Sequence, residues 1–204
     1  MNDLKSLSDD DLLRLMKAKN EEAFSLLYQR CQGGIYRFAL QMSGSESIAE
    51  DVTQEVFVTL IHEGSGYDSS RGSIQSYLYG IARNLVLRAL KRGRSFVSMI
   101  ESSEEDESLS EMLIAPDDPL DDLTRGEGLE RLRLAILALP LHYREVVVLC
   151  DLEEMNYAEA AQALGCAVGT VRSRLHRAHA LLVEKLRDRK TLGRISKAEA
   201  SRGV

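Results

Sequence analysis

The residues from Asn156 to Leu182, NYAEAAQALGCAVGTVRSRLHRAHALL, restrict the fold more than any other part of this sequence. They predict a first short helix that Asn156 caps, with Glu159 three residues later completing a capping box. Gly165 ends this helix, because glycine adopts a positive φ without steric penalty. A second helix follows, and Val171 begins its buried stripe. Together with the small Ala161, this order of residues is typical of a helix-turn-helix.

The second helix of this hairpin carries a basic and polar face opposite its buried stripe. In a helix-turn-helix that face enters the major groove of duplex DNA, where arginine reads guanine and serine or histidine adds further contacts. An ordinary helical hairpin with a solvated polar face is the alternative. The cap, the glycine, the branched residue and the basic face together favour DNA binding. The outward side chains are Arg172, Ser173, His176 and Arg177.

A second candidate for DNA binding is a predicted helix from about residue 73 to residue 92. Its apolar stripe is flanked by aromatic, basic and amide side chains, namely Tyr77, Tyr79, Arg83, Asn84, Arg88, Lys91 and Arg92. Aromatic rings beside a basic helix end suit single-stranded DNA, since rings stack on bases and cations follow phosphates. Tyrosines that simply pack at a helix edge explain the same pattern equally well.

The rest of the sequence also favours helices. Only 3 of the 204 residues are proline, and 44% of the residues are apolar, which is enough for globular cores. Amphipathic stripes predict further helices, one of which starts at Asn20 and contains Gly33 and Gly34, a pair that permits a bend or a break. We therefore expect an all-α fold.

The stretch from 94 to 125 divides the chain. It holds ten of the 32 acidic residues and two of the 26 basic ones, so the remainder is slightly basic although the net charge is −6. Its charge, serines and prolines predict a flexible linker. We expect two small helical domains, at 1–93 and 126–189, that need not touch, followed by a polar, mobile tail at 190–204.

Several classes of protein are disfavoured by the sequence. The acidic N-terminus lacks the apolar core of a signal peptide, and no stretch reaches the roughly 18 apolar residues of a membrane span. Cys31, Cys150 and Cys166 are widely spaced, which predicts reduced, buried thiols rather than disulfides or a zinc site. We expect a cytoplasmic protein with no membrane insertion, no catalytic residues, no metal site and no cofactor.

Four stretches together carry a resemblance to a known family. They are AEDVTQEVF at 49–57, SYLYGIARNLVLRALKR at 76–92, LPLHYREVVVL at 139–149 and GTVRSRLHRAHALL at 169–182. In this order the chain resembles the bacterial RNA polymerase sigma factors of the extracytoplasmic-function (ECF) group. The resemblance implies a factor that binds core RNA polymerase, directs promoter-specific initiation and is held inactive by an anti-sigma protein.

The resemblance also implies roles for individual residues. Residues Asp51, Gln54, Glu55 and Phe57 match the segment that docks on the clamp helices of the largest polymerase subunit, and the flap receives the C-terminal domain. The aromatic and basic residues of 76–92 match the region that opens and reads the −10 promoter element. Tyr77 stands there in place of the usual tryptophan, and Arg88 in place of the usual aspartate. Residues Thr170, Arg172, Ser173, Arg174, His176 and Arg177 match the helix that reads the −35 element.

Two other functions compete with this interpretation. A stand-alone helix-turn-helix regulator would use only the C-terminal hairpin, but the match at 49–57 argues against it. A sigma-like decoy that binds an anti-sigma protein and no promoter would not need the basic residues at 172–177. The acidic linker is either a passive spacer or a polyanion that occupies basic surfaces on the path of the RNA.

Overall fold

In the computed structural model, the described residues are 4–63, 67–98 and 125–200, and within these ranges the chain is helical without strands. The helices are α1 (Asp9–Lys17), α2 (Glu21–Ser43), α3 (Glu46–Glu63), α4 (Ile74–Ser98), α5 (Arg125–Leu137), α6 (Leu141–Val147), α7 (Tyr157–Leu164) and α8 (Val168–Ala200). Short 3₁₀ turns lie at Leu4–Ser6 and Ser69–Arg71, and a π turn at Val148–Leu152 follows α6. The predicted all-α fold is confirmed.

Local capping signals set several helix ends. The Asn20 side chain accepts a hydrogen bond from the backbone N–H of Ala23 at 2.9 Å, which starts α2. At α7 the Asn156 side chain accepts from the N–H of Glu159 at 3.0 Å, and the Glu159 carboxylate accepts from the N–H of Asn156 at 3.1 Å. This is the predicted capping box. Gly165 ends α7 with a φ of 63°, the left-handed conformation that glycine adopts freely.

The N-terminal unit, α1 to α4, is built around α2. Helix α2 is uninterrupted through Gly33 and Gly34, and it packs against α1, α3 and α4. Leu27, Ile35 and Phe38 on α2 are fully buried. Removal of this apolar surface from water is the main force that holds the four helices together.

The C-terminal unit, α5 to α8, encloses a smaller core. Val171, Leu175, Ala178 and Leu182 form the buried stripe of α8, as the sequence predicted. They pack against α5, α6 and α7. Helix α8 continues to Ala200, beyond the end expected near 189, since this stretch holds good helix formers and no proline. Residues 190–200 of the predicted polar tail are therefore part of α8.

The two units pack against each other, although the sequence suggested only that they need not touch. Helix α7 lies along α4, while α5 and the π turn contact α2. A Cβ added at Gly80 of α4 would lie 3.4 Å from the carbonyl oxygen of Ala163 on α7. The two helices therefore approach closely at two small residues. The predicted linker falls mostly at 99–124, outside the described residues.

Candidate nucleic-acid and polymerase interfaces

The helix-turn-helix presents the polar face of α8 outward. The side chains of Arg172, Ser173, His176 and Arg177 are exposed, and those of Thr170 and Arg174 are half-buried. The Ser173 hydroxyl donates to the carbonyl oxygen of Thr170 at 3.0 Å. The six predicted −35 readers thus share one stretch of α8, and the four outermost are accessible.

Two contacts from neighbouring elements reach this helix. The guanidinium carbon of Arg172 lies 6.0 Å from the centroid of the Tyr157 ring, a favourable cation–π distance. His179 contacts Asp151 of the π turn, with 2.7 Å between Nε2 and Oδ2. The turn and α7 thereby hold α8 at its outer face as well as through its buried stripe.

On α4, the candidate residues for the −10 element divide into an accessible and a covered group. Asn84, Arg88, Lys91 and Arg92 are exposed along the C-terminal half of the helix. Tyr77 is half-buried, and its ring centroid lies 5.5 Å from that of Tyr67. Tyr79 and Arg83, one turn apart, contact the C-terminal unit.

Tyr79 is 8% exposed and packs edge-on against Phe38, with 5.5 Å between ring centroids. Its hydroxyl donates to Glu153 Oε2 at 3.0 Å. Burial and then the neighbouring carboxylate raise the pKa of this phenol well above its ordinary value. The sequence predicted Tyr79 as a residue that contacts DNA, but in this arrangement its ring belongs to the core and cannot stack on a base.

Arg83 lies against a buried carboxylate. Its Nε donates to Glu145 Oε1 at 2.6 Å, and Glu145 is only 1% exposed. The other carboxylate oxygen of Glu145 has no hydrogen-bond partner among the described residues. Arg83, a second predicted reader of the −10 element, is thus engaged by an acidic group of α6.

The predicted polymerase-docking face lies on α3. Asp51, Gln54 and Glu55 are exposed on one side of this helix, as a docking surface requires. The same helix exposes Val58 and Ile61, at 44% and 55%. These apolar side chains extend the acidic surface towards the end of the helix.

Phe57 does not belong to that surface. It is 3% exposed, and its ring centroid lies 4.6 Å from that of Tyr28 on α2. Its prediction as a polymerase contact is corrected, because its position on α3 faces α2. Phe57 orients α3 from within the core.

Three residues at the contact between the units were missed by sequence reasoning. Arg37 of α2 donates from Nε and Nη2 to Glu153 Oε1 and Oε2, at 3.0 and 2.8 Å. Arg144, which is 4% exposed, donates to the carbonyl oxygens of Met42, Leu137 and Leu139. Arg37 and Glu153 lie 116 residues apart, so no local pattern could have paired them.

The part of the chain that the structure describes was also searched for other kinds of site. It contains no group of three or more histidine, cysteine or acidic residues placed to hold a metal ion. None of its helices has both the length and the hydropathy needed to cross a membrane.

Comparison with known proteins finds two regions that match a protein family. Residues 27–96 match the family described as Sigma-70 region 2, and residues 129–182 match Sigma-70, region 4. The first match includes the exposed acidic face of α3 and most of α4, and the second includes the helix-turn-helix.

Individual relatives agree with this match. The chain is 32% identical over 181 residues to ECF RNA polymerase sigma factor SigC of Mycobacterium tuberculosis, across 86% of this chain and 92% of SigC. It is 34% identical to SigE of Mycolicibacterium smegmatis over 76% of this chain, a match that spans only 56% of SigE. The solved structure of CnrH in complex with the cytosolic domain of CnrY has a TM-score of 0.65 and 26% identity, covering 88% of this chain and 97% of CnrH.

Proposed function

The chain belongs to the ECF group of RNA polymerase sigma factors, and we propose that it binds core RNA polymerase and directs it to specific promoters. The observation that carries this proposal is the pairing of an exposed acidic face on α3 with an exposed basic face on α8, each inside a matched region. A stand-alone DNA-binding regulator would have no use for the first of these faces.

In this function α8 reads the −35 element as duplex DNA. Arg172, Ser173, His176 and Arg177 are exposed on the helix that a helix-turn-helix places in the major groove. Arginine side chains there either read guanine or anchor on phosphates. Thr170 and Arg174 lie at the edge of this face and support it.

Helix α4 opens and reads the −10 element. Asn84, Arg88, Lys91 and Arg92 offer an exposed polar and basic track for the backbone of a separated strand. Unstacking a base costs a few kcal/mol, and its capture near Tyr77 and Tyr79 offsets that cost. Tyr79 and Arg83 contribute only after the C-terminal unit has moved off α4.

Polymerase docking falls to α3 and to the C-terminal unit. Asp51, Gln54 and Glu55 present carboxylate and amide groups that suit a basic partner surface, here the clamp helices of the largest subunit. The flap of the polymerase receives the C-terminal unit. We retain the division into domains at 1–93 and 126–189 with an acidic linker as part of this proposal.

An anti-sigma protein is the proposed regulator. The similar CnrH was solved with the cytosolic domain of CnrY, and an equivalent partner here would act on the two units in the cytoplasm. The sigma factor itself works by binding and by remodelling DNA, and it carries out no covalent chemistry of its own.

Run-off transcription from genomic fragments tests the proposal. Core polymerase alone should give no promoter-specific transcript, and core polymerase with this chain should give discrete ones. Replacing Asp51 and Glu55 with Lys should abolish both core binding and transcription, whereas the matched change Glu21→Lys with Glu22→Lys, on exposed positions of α2, should preserve them. Core binding without any promoter-specific transcript would reject the proposed function.

A further inference from the structure

The side-chain carboxylate of Glu153, in the C-terminal unit, accepts hydrogen bonds from two residues of the N-terminal unit. Arg37 makes two hydrogen bonds to its carboxylate, at 3.0 and 2.8 Å, and the Tyr79 hydroxyl makes a third at 3.0 Å. The side chain of Glu153 is 4% exposed. We call Gly34, Arg37 and Tyr79 the anion cradle.

Gly34 makes room for this arrangement. A Cβ at this position would lie 2.5 Å from the Tyr79 hydroxyl oxygen and 3.1 Å from Glu153 Oε2. A side chain at position 34 would therefore displace the Tyr79 hydroxyl, and the second distance shows that the α2 backbone lies close to the bound carboxylate. A glycine that permits such an approach is common where backbone and ligand meet.

The cradle has the chemistry of a phosphate site. A guanidinium that binds two oxygens of one acid group suits phosphate as well as carboxylate, and tyrosine hydroxyls also donate to DNA phosphates. The cradle opens into a cavity of about 200 Å³ that Arg30 and Gln75 also line. A phosphodiester is bulkier than a carboxylate, and this cavity gives it the space.

Arg83 repeats the arrangement one turn along α4. It binds the buried Glu145 at 2.6 Å, and Tyr79 and Arg83 share one helix face because they are four residues apart. Two carboxylates of the C-terminal unit therefore lie in a row on cationic and phenolic groups of the N-terminal unit. A row of anions along one helix face is also what a DNA backbone presents.

We propose that Arg37, Tyr79 and Arg83 bind backbone phosphates of single-stranded DNA, and that Glu153 and Glu145 occupy these positions while the two units are packed together. Packing of the two units and binding of the DNA strand then compete for one site. The proposal rests on the proposed function, in which the strand is that of the −10 element.

The energetics allow such an exchange. Each of the two ion pairs buries its carboxylate, and desolvation of that charge offsets much of the attraction. Arg37 is itself 63% exposed, so water also weakens its attraction to Glu153. One oxygen of Glu145 is buried without a hydrogen-bond partner among the described residues, which costs further free energy in the packed arrangement. A strand that supplies several phosphates at once can therefore displace both carboxylates.

The test uses the full chain without polymerase and a labelled 15-nucleotide oligo(dT) as the probe, with binding followed by fluorescence anisotropy. Glu153→Gln removes the resident charge, and we expect about tenfold tighter binding, the gain when a state populated at about one tenth becomes dominant. Glu154→Gln, an exposed neighbour with the same charge change, is the control and should change the affinity little. Equal effects of the two substitutions would overturn the proposal.

A second substitution locates the site. Arg37→Gln introduced into the Glu153→Gln chain should remove the gain, while Arg133→Gln, which affects an arginine paired with Glu130 on α5, should not. A gain that survives Arg37→Gln would overturn the assignment of the cradle. Circular dichroism melting confirms that each variant is folded.

The wild-type chain supplies a measurement that needs no variant. Its radius of gyration, from small-angle X-ray scattering, should rise when oligo(dT) saturates it, because the strand displaces the C-terminal unit. An unchanged radius at saturation would overturn the proposal. If wild type directs run-off transcription but shows neither effect, this inference fails and the proposed function stands. If the gain in affinity and the rise in the radius of gyration both appear without transcription, the proposed function fails and this inference stands.

Discussion

Helices α4 and α8 are both predicted to contact DNA, yet the structure covers part of the candidate face of α4 and leaves the outermost candidates of α8 open. On α8 the four outermost candidate residues are exposed, whereas on α4 Tyr79 is 8% exposed and Arg83 is bound to a buried carboxylate. Both helices carry the basic side chains that the sequence predicts as DNA contacts. The difference shows that the exposure of a candidate DNA-reading residue depends on what packs over it and not on the helix that carries it.

Packing explains this difference. Helix α8 buries one stripe, through Val171 and Leu175, and the described side chains on its opposite face contact the first residue of α7 and the π turn. Helix α4 is packed by α2 and α3 on one side and by α7 on another. The free chain should consequently bind −35 duplex DNA more readily than the single strand of a −10 element.

The largest effect on the packing of the two units should come from removing Arg144. Its buried guanidinium donates to carbonyl oxygens at the ends of α2 and α5, and burial lowers its pKa to about 10. Arg144→Met leaves these carbonyls unpaired, and we expect a loss of about 3 kcal/mol in the free energy of unfolding. Urea unfolding measures it, with Arg133→Met as the control. A loss below about 1 kcal/mol would contradict the role assigned to Arg144.

The exposed helix is tested by Arg172→Ala. This substitution removes a guanidinium that lies on the Tyr157 ring and faces outward, so binding of duplex promoter DNA by the free chain should weaken by about 2 kcal/mol. Arg92→Ala on α4 removes the same charge and should affect duplex binding less. Fluorescence anisotropy with a duplex fragment that gives a run-off transcript makes the comparison. Equal losses would erase the distinction between the two helices.

A larger side chain at Gly80 should uncover α4. Its Cβ position lies 3.4 Å from the Ala163 carbonyl oxygen, so Gly80→Leu forces α7 away at a cost of about 1.5 kcal/mol. The radius of gyration should increase and binding of single-stranded DNA should strengthen, while binding to the −35 duplex stays constant. Gly93→Leu is the control, because nothing lies within 4 Å of the Cβ position there. No difference between the two variants would contradict the close approach of α4 and α7.

The smallest expected effect depends on pH. Partial burial, and then the charge of Arg174 on α8, lower the pKa of His142, although nearby Glu145 raises it. Because the pKa of His142 is lower in the folded chain, the neutral imidazole contributes to stability. This contribution is fully present above the ordinary histidine pKa and is lost as pH falls through the lowered pKa. Unfolding measured between pH 7 and pH 5 should show a slightly shallower decline in His142→Asn. A steeper decline in this variant would contradict the lowered pKa of His142.

Local signals explain what the sequence predicted correctly. The Asn156 and Glu159 capping box, the Gly165 turn and the apolar stripe of α8 each depend on residues a few positions apart. Their physics is contained in one helix and its ends, so the sequence predicts them without knowledge of the tertiary structure.

Local signals in the sequence could not predict the contacts between distant segments. The resemblance predicts Phe57 as a polymerase contact, but its ring faces α2, and Tyr79 is covered by a residue of the other unit. The pair Gly33 and Gly34 predicts a bend or a break in α2, but α2 is continuous and Gly34 instead accommodates the Tyr79 hydroxyl. The roles predicted for Asp51, Gln54, Glu55 and the polar face of α8 fit their exposure and stay predictions.

The central claim is that the packed arrangement is a closed state that must open before transcription starts. Crosslinking α4 to α7 tests it most directly, through cysteines at Gly80 and Ala163 in a chain whose three natural cysteines are replaced by alanine. A disulfide between these two cysteines, formed by mild oxidation, then holds the closed state without a spacer between the helices. The crosslinked chain should give at least about tenfold less run-off transcript with core polymerase, and reduction should restore it. Undiminished transcription by the fully crosslinked chain would contradict the account.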